Sequence, residues 1–160
     1  MRKITISLCD LANDLNGIDN KSIPIGVGYI CAYCKKIHDD SINIKVFRTF
    51  GQFWEDTLKQ APDIAGFGSY DWNYNLTLTS VKKLKNLNKD CLIAFGGANA
   101  EINMEDNKVF LAKHPNIDYI IYGDGEKPFS NIIENYKKLG LCKDWRLKLK
   151  STPINGCRTL

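Results

Sequence analysis

The chain has no apolar run of the roughly 18–20 residues that are needed to cross a bilayer. Its longest apolar stretch, Asp118–Tyr122 with its neighbours, has only the length of a strand. The first residues enter a strand-like alternation at once, without the apolar segment and small-residue cleavage site of a signal peptide. We therefore expect a soluble, cytoplasmic protein with no membrane partner.

Cysteine is too scarce for a disulfide scaffold, because the six cysteines make up about 4% of the chain and such scaffolds carry roughly 8–10%. Cys31 and Cys34 form a C-x-x-C, but both fall on the apolar stripe of a predicted helix, and no second pair follows at zinc-like spacing. An iron–sulfur motif C-x-x-x-C-x-x-C would need cysteine in place of Val27. We interpret both cysteines as packing residues and predict no metal ligands.

Familiar catalytic groupings are missing as well. The only two histidines, His38 and His114, end predicted helices on the side away from the strand ends where ligands bind. We find no Ser–His–Asp grouping, Walker loop or carboxylate pair, and Gly26-x-Gly28 lacks the third glycine of a dinucleotide fingerprint. The net charge of +4 is spread over lysine-rich helix faces, which argues against a nucleic-acid partner. The sequence predicts no catalytic residue.

What the sequence does contain is an alternation of five short apolar segments with five helical ones, which is typical of a parallel sheet covered on both faces. With 160 residues, 44% of them hydrophobic, one globular domain accounts for the chain. We predict a three-layer, doubly wound five-stranded sheet of flavodoxin-like (Rossmann-like) order 2-1-3-4-5. The predicted strands are Lys3–Cys9, Ile42–Arg48, Ile64–Ser69, Leu92–Phe95 and Tyr119–Tyr122.

Ligands of such sheets bind beyond the carboxyl ends of the strands, so the loops that follow the strands are the candidate site. Each loop alone could be an ordinary turn or helix cap, but together they predict a crevice for a broad, flat cofactor. The first loop, Asp10–Ile23, is unusually long, and we predict that it is disordered without ligand. The candidate binding residues in the later loops are Ser69, Tyr70, Trp72, Asn73, Gly96, Gly97, Ala98, Asn99, Gly123, Asp124, Gly125 and Glu126.

The order and spacing of these loops resemble the N-terminal cobalamin (B12)-binding domain of B12-dependent radical SAM enzymes. The resemblance covers nearly the whole chain and is carried by four segments. They are Ile23-Pro24-Ile25-Gly26-Val27-Gly28-Tyr29, Pro62–Asn73, Phe95-Gly96-Gly97-Ala98-Asn99 and Asp118–Glu126.

The resemblance implies cobalamin, a cobalt-containing cofactor, as ligand and partner. Ser69 and Gly96, 27 positions apart, suit the serine and Gly-Gly positions of cobalamin-binding folds, whereas the histidine of their D-x-H-x-x-G loop is absent after Asp10. That absence resembles the radical SAM branch, in which the nucleotide tail is displaced and no histidine binds cobalt. The family pattern implies aromatic cover from Tyr70 and Trp72, with polar contacts or close backbone approach from the other candidate residues. Glu126 is equally suited to holding an amide arm or capping its helix.

The family also implies a division of the chain, with a cobalamin-binding domain at 1–141 and the start of a linker at 142–160. The linker would lead to a C-terminal radical SAM barrel, which would hold a [4Fe-4S] cluster and S-adenosylmethionine. The parent enzyme would transfer methyl from S-adenosylmethionine via methylcobalamin, and the fragment alone would be inert. Two alternatives remain open: a non-catalytic flavodoxin-like module that binds a partner or another small ligand, and a stand-alone corrinoid methyl carrier.

Overall fold

The computed structural model describes residues 2–12, 23–100, 104–140, 142 and 144–160. Strands and helices alternate along most of the chain, as the apolar pattern predicts. The strands are β1 Ile4–Ala12, β2 Ile42–Thr49, β3 Ile64–Gly68, β4 Leu92–Gly96, β5 Tyr119–Ile121 and β6 Cys157–Arg158. The helices are α1 Ile25–His38, α2 Phe50–Lys59, α3 Tyr74–Leu87, α4 Met104–Lys113, α5 Glu126–Leu139 and α6 Trp145–Ser151.

The described strands form one sheet in the order β2-β1-β3-β4-β5-β6, which contains the predicted 2-1-3-4-5 arrangement. Strands β1 to β5 pair in parallel, and β6 adds an antiparallel edge to β5. The predicted strand count of five is therefore one too low. A two-residue strand is too short to show the alternation of period two by which a strand is recognised in a sequence.

Two apolar layers cover the sheet, because successive side chains of a strand point to opposite faces. Helices α1, α5 and α6 pack on one face, through residues such as Cys34, Ile132 and Leu149. Helices α2, α3 and α4 pack on the other, through residues such as Phe53 and Leu84. The three-layer, doubly wound fold is confirmed.

The C-x-x-C pair belongs to the first of these layers. Cys31 and Cys34 are buried and unpaired, and burial raises the pKa of both thiols, that of Cys34 to about 12. Both side chains lie in the apolar layer that contains α1 and α5. The interpretation as packing residues is confirmed. Among the described residues, no helix is both long and apolar enough to cross a membrane.

The segment 144–160 packs against the sheet rather than extending away from it. Leu149 of α6 is fully buried, and its carbonyl accepts a hydrogen bond of 2.7 Å from the hydroxyl of Tyr119. Arg146 donates to Asp118 at 2.6 Å. The boundary predicted after residue 141 stays a prediction, but the described residues beyond it complete the sheet.

Asp118 joins three parts of the fold at the amino-terminal edge of the sheet. Its buried carboxylate accepts from Lys85 Nζ of α3 at 3.0 Å and from the backbone N–H of Ile93 at 2.9 Å. Its other oxygen holds Arg146 of α6. Burial lowers the pKa of Lys85, although the Asp118 carboxylate raises it. Burying the two charges costs free energy, and each charge needs the other to offset that cost.

His38 joins the C-terminal end of α1 to α5. Lys137 Nζ donates to its Nδ1 at 2.9 Å, so Nε2 carries the proton and donates to Ser130 Oγ at 2.9 Å. Burial lowers the pKa of His38, and the Lys137 charge lowers it further. The neutral imidazole is the form that fits this site.

Acidification should therefore weaken the fold through His38. Because the pKa of His38 is lower in the folded state, the unfolded chain binds the proton first as pH falls below about 6.5. The free energy of unfolding should then decrease more for the wild type than for His38→Gln, which keeps a donor but does not titrate. Urea unfolding at pH 7.5 and pH 5.5 measures this. An equal decrease in both proteins would show that His38 is not responsible.

Candidate functional site

A groove lies between the sheet and helices α1 and α5, where two neighbouring strands carry very small residues on one face. Gly66 and Gly68 of β3 pair in register with Ala94 and Gly96 of β4. All four residues line the groove, which has a volume of about 280 Å³. The alternate residues, such as Phe67, point into the opposite apolar layer. The small residues on this face of β3 and β4 leave room above the sheet, which Leu8 and Phe129 fill at Gly66.

The inner part of the groove is apolar and close-packed. A Cβ atom at Gly66 would lie 2.8 Å from Leu8 Cδ2 and 2.8 Å from Phe129 Cε2, so only glycine fits there without movement. Leu8 and Phe129 line the groove and are each 1% exposed. Ile121 of β5 and Ile30 of α1 complete this lining.

The mouth of the groove is polar, because two helices begin there. The first backbone N–H groups of a helix have no partner within the helix, and neither α1 nor α5 has a side-chain cap. At α1 the first of them, that of Ile25, donates to the carbonyl of Ile23 at 2.8 Å. Gly26 and Tyr29 of α1 line the groove, as do Gly125 and Glu126 at the start of α5. The first turn of α1 carries no acidic residue, whereas that of α5 carries Glu126.

Tyr70 closes one side of the mouth. Its ring packs over Gly68, and its hydroxyl lies 4.0 Å from the position of a Cβ at Gly26. The ring of Trp72 stacks on that of Tyr70, with centroids 4.6 Å apart and planes 3° from parallel. Trp72 is 71% exposed and does not line the groove, so it supports Tyr70 rather than forming a wall.

Ser69, Asn73 and Asn99 hold the loops in place. The backbone N–H of Tyr70 donates to Asn73 Oδ1 at 2.8 Å, and Asn73 Nδ2 donates to the carbonyl of Gly68 at 3.1 Å. The N–H of the fully buried Ser69 donates to Gly96 O at 2.7 Å, and Asn99 Nδ2 donates to Ser69 Oγ at 3.4 Å. These side chains fix the ends of β3 and β4 beside the groove.

Gly97 is required by this arrangement. Its φ of +100° disfavours other residues, and a Cβ there would lie 2.6 Å from the carbonyl oxygen of Ser69. Gly123 lies in the loop after β5, has a φ of +68° and open space around it, and lines the groove. Both glycines therefore suit the backbone conformation of their loops, and Gly97 also allows the close approach of Ser69.

The structure brings the predicted site residues to one edge of the sheet, but it gives them different positions. Seven of them line the groove: Tyr70, Gly96, Gly97, Gly123, Asp124, Gly125 and Glu126. The other five, Ser69, Trp72, Asn73, Ala98 and Asn99, lie in the same loops outside the lining. Whether these residues contact a ligand stays a prediction.

Other lining residues are not among the predicted binding residues, because they lie inside regular elements. Gly66 and Gly68 form a G-x-G in β3, which leaves one face of the strand without side chains. This pattern was the available sequence signal for the floor of the groove, which is the surface of β3 and β4 that faces α1 and α5. Gly26, Tyr29 and Ile30 share a helix face at spacings of three and four residues. Only the packing of α1 on the sheet shows that this face looks into the groove.

Asp10 lies at the carboxyl end of β1, beside the groove. Its Oδ1 is 3.5 Å from Asn73 Nδ2, and a Cβ at Gly68 would lie 3.8 Å from its carboxyl carbon. Burial raises the pKa of Asp10, and burial together with the Asp10 charge raises that of Tyr70. Of the long loop predicted to be disordered, residues 13–22 lie outside the described part of the chain.

Both histidines of the chain lie at the other edge of the sheet. His38 ends α1 and His114 follows α4, and these helices run back from the carboxyl edge to the amino-terminal edge. No histidine of these 160 residues is therefore close to the groove. Among the described residues, no three His, Cys, Asp or Glu side chains are grouped as a metal site.

Comparison with known families explains this combination of a parallel sheet and a glycine-rich groove. The sequence model of the B12 binding domain matches residues 15–133, which is most of the chain. The chain therefore belongs to the B12-binding domain family.

Two relatives found by sequence are named as methyltransferases. The chain is 26% identical over 72 residues to a 2-(S-pantetheinyl)-carbapenam-3-carboxylate methyltransferase of Streptantibioticus cattleyicolor, covering 45% of this chain and 10% of that protein. It is 25% identical over 117 residues to an uncharacterised methyltransferase of Pyrococcus horikoshii, covering 72% and 25%. The chain thus spans a quarter or less of these relatives.

A solved structure has the same fold. It is that of OxsB, a cobalamin-dependent S-adenosylmethionine radical enzyme, with aqua-cobalamin and S-adenosylmethionine bound. The TM-score is 0.68 at 17% identity, over 85% of this chain and 19% of that one. At this identity the likeness shows the fold alone.

Proposed function

We propose that the groove and the loops around it bind cobalamin, and that the domain serves as the cobalamin-binding module of a radical SAM methyltransferase. The observation that carries the proposal is the glycine-floored groove at the carboxyl edge of a B12-binding domain. Bound cobalamin supplies a cobalt ion that accepts and releases a methyl group. The chain's own residues would bind and orient the cofactor.

The size and lining of the groove fit one part of cobalamin. A volume of about 280 Å³ is just below the roughly 300–1,000 Å³ of pockets that enclose a whole drug-sized ligand. It suits the nucleotide tail, whose lower base is flat and largely apolar, and not the wider corrin. We infer that the base enters the apolar part over Ala94 and Gly96, beside Ile121, and that the corrin covers the mouth.

The polar groups of the mouth suit the rest of the cofactor. The N–H groups of Gly26 and Val27, in the first turn of α1, are a favourable place for the phosphate of the tail, since no acidic side chain lies in that turn. Asp124 and Glu126, on the α5 side, can accept hydrogen bonds from the amide arms of the corrin. Tyr70, supported by Trp72, gives one wall of the mouth an aromatic surface.

The position of the histidines is relevant to the cobalt. With both of them at the far edge of the sheet, this chain offers no imidazole to the face of the corrin that rests on the groove. A cobalamin held in this groove would therefore have no histidine of this chain beside it. Tyr70 lines the mouth, and the Asp10 carboxylate is close enough to raise the pKa of its hydroxyl.

The parent reaction is inferred from the relatives. Two of them are named as methyltransferases and OxsB as a radical enzyme that uses S-adenosylmethionine. We infer a C-terminal radical SAM barrel in the same protein, which would hold the [4Fe-4S] cluster and S-adenosylmethionine. Finding coding sequence for such a barrel, with its three-cysteine motif, beyond Leu160 in the gene tests this. Its absence would favour a corrinoid carrier or a binding module.

Cofactor binding is tested by mixing the protein with hydroxocobalamin, removing free ligand on a desalting column and recording the visible spectrum. We expect about one corrin to be retained per chain, and less by Tyr70→Ala. Trp72→Ala should have a smaller effect, because Trp72 only supports Tyr70. A wild-type protein that elutes without a corrin spectrum would refute the proposal.

A further inference from the structure

The polar and apolar side chains of the groove are separated by depth. Leu8, Val27, Ile121 and Phe129 are each 7% exposed or less and line its inner part, beside Ile30. The polar side chains that line it belong to the mouth, where Tyr29 is 64% exposed. These polar residues are Tyr29, Tyr70, Asp124 and Glu126.

The backbone of the inner groove is also unavailable to a ligand. Gly66 and Ala94 lie within strands that pair on both sides, so their N–H and C=O groups are engaged in the sheet. A ring that reaches the floor therefore meets no described side chain that could donate to it or accept from it. Each polar atom on the edge of that ring would be buried without a partner.

Natural cobamides differ in the lower base of the tail, which is the part we place on this floor. A benzimidazole has one unsubstituted ring nitrogen and an otherwise apolar edge, and a phenol such as cresol has no ring nitrogen. Adenine has further ring nitrogens and an exocyclic amine. Burying donors and acceptors unpaired is costly, so a purine should be the poorest fit for this floor.

We propose that the domain is selective for cobamides whose lower base is a benzimidazole or a phenol, and that it discriminates against purine bases. Ile30 is a determinant of this selectivity, because its Cδ1 packs against the backbone at Gly125 and forms the boundary between the apolar floor and the polar mouth. The inference rests on the proposed cobalamin binding and specifies which cobamides that site accepts.

The sharpest comparison is between cresolyl and adeninyl cobamides with the same corrin. The phenol cannot bind cobalt and adenine binds it weakly. Neither base therefore has to break a strong bond to cobalt before it enters the groove. Equilibrium dialysis should show that the cresolyl form binds at least about tenfold more tightly than the adeninyl form. Cobinamide, which has no nucleotide tail, should bind at least about tenfold more weakly than the cresolyl form.

Ile30→Asn places an amide at the boundary and should reduce the cresolyl-to-adeninyl ratio to about threefold or less. Ile37→Asn is the matched control, because Ile37 is an exposed residue of the same helix that does not line the groove. It should leave the ratio unchanged. The wild-type ratio decides the matter even if the Ile30 variant does not fold.

The outcomes separate the two proposals. Equal binding of cresolyl and adeninyl cobamides, or cobinamide bound as tightly as either, would overturn the selectivity and leave corrinoid binding in place. No binding of any corrinoid would instead refute the proposed function. A ratio of tenfold or more in the wild type, reduced in Ile30→Asn alone, supports the selectivity.

Discussion

Replacing Gly96 by leucine should reduce cobalamin affinity by at least about 100-fold while the protein stays folded. Gly96 lies on the groove face of β4, opposite Gly68 of β3. A Cβ there would make only ordinary contacts, the nearest being 3.5 Å from the carbonyl oxygen of Ile121. The added side chain can therefore be accommodated by the sheet, and it would occupy the space that we assign to the nucleotide tail.

Gly28→Leu is the matched control for this substitution. Gly28 lies in α1, does not line the groove, and a Cβ at its position would meet no atom within 4 Å. Its leucine variant should bind cobalamin like the wild type. Visible titrations measure the affinity, and near-ultraviolet circular dichroism checks the fold of each variant. A folded Gly96→Leu protein with wild-type affinity would show that the ligand does not enter the groove.

Replacing Asp118 by asparagine should lower the free energy of unfolding by about 3–5 kcal/mol. The carboxylate is buried and accepts from Lys85 and from the backbone of Ile93, while its other oxygen holds Arg146. Asparagine has nearly the same shape but no charge, so Lys85 would be buried without a counter-ion. Removing one partner of a buried ion pair is costly for this reason.

Urea unfolding followed by circular dichroism measures this loss, with Asp90→Asn as the control. Asp90 is exposed, near the same edge of the sheet, and its substitution should change stability by about 0.5 kcal/mol or less. A loss below about 1 kcal/mol for Asp118→Asn would show that the network contributes little. Because Asp118 lies away from the groove, the folded fraction should bind cobalamin normally.

The five parallel strands and their order could be predicted because each is a short segment rich in apolar residues between helical segments. Four of them begin and end within one residue of their predicted bounds. Strand β1 extends three residues further, through the buried Leu11 and Ala12. Strand β6 could not be predicted. A strand of two residues shows no alternation in the sequence. Its pairing with β5 depends on the chain folding back against the sheet, where Arg146 bonds to Asp118.

The site was predictable only where it consists of loops. Glycines and polar residues after strands are informative because the carboxyl ends of parallel strands meet at one edge. The floor is different, since Gly66 and Ala94 make a bare face only through the register that sets them side by side. The contribution of Tyr29 and Ile30 depends on how α1 packs on the sheet. The framework roles of Ser69 and Asn73 depend on hydrogen bonds between loops.

The most direct measurement is the structure of the domain crystallised with cobalamin. Our account predicts the lower base in the groove over Ala94 and Gly96, the corrin over the mouth beside Tyr70 and Gly123, and no histidine on the cobalt. A cobalamin bound elsewhere on the domain, or bound with an empty groove and its base still on the metal, would contradict it.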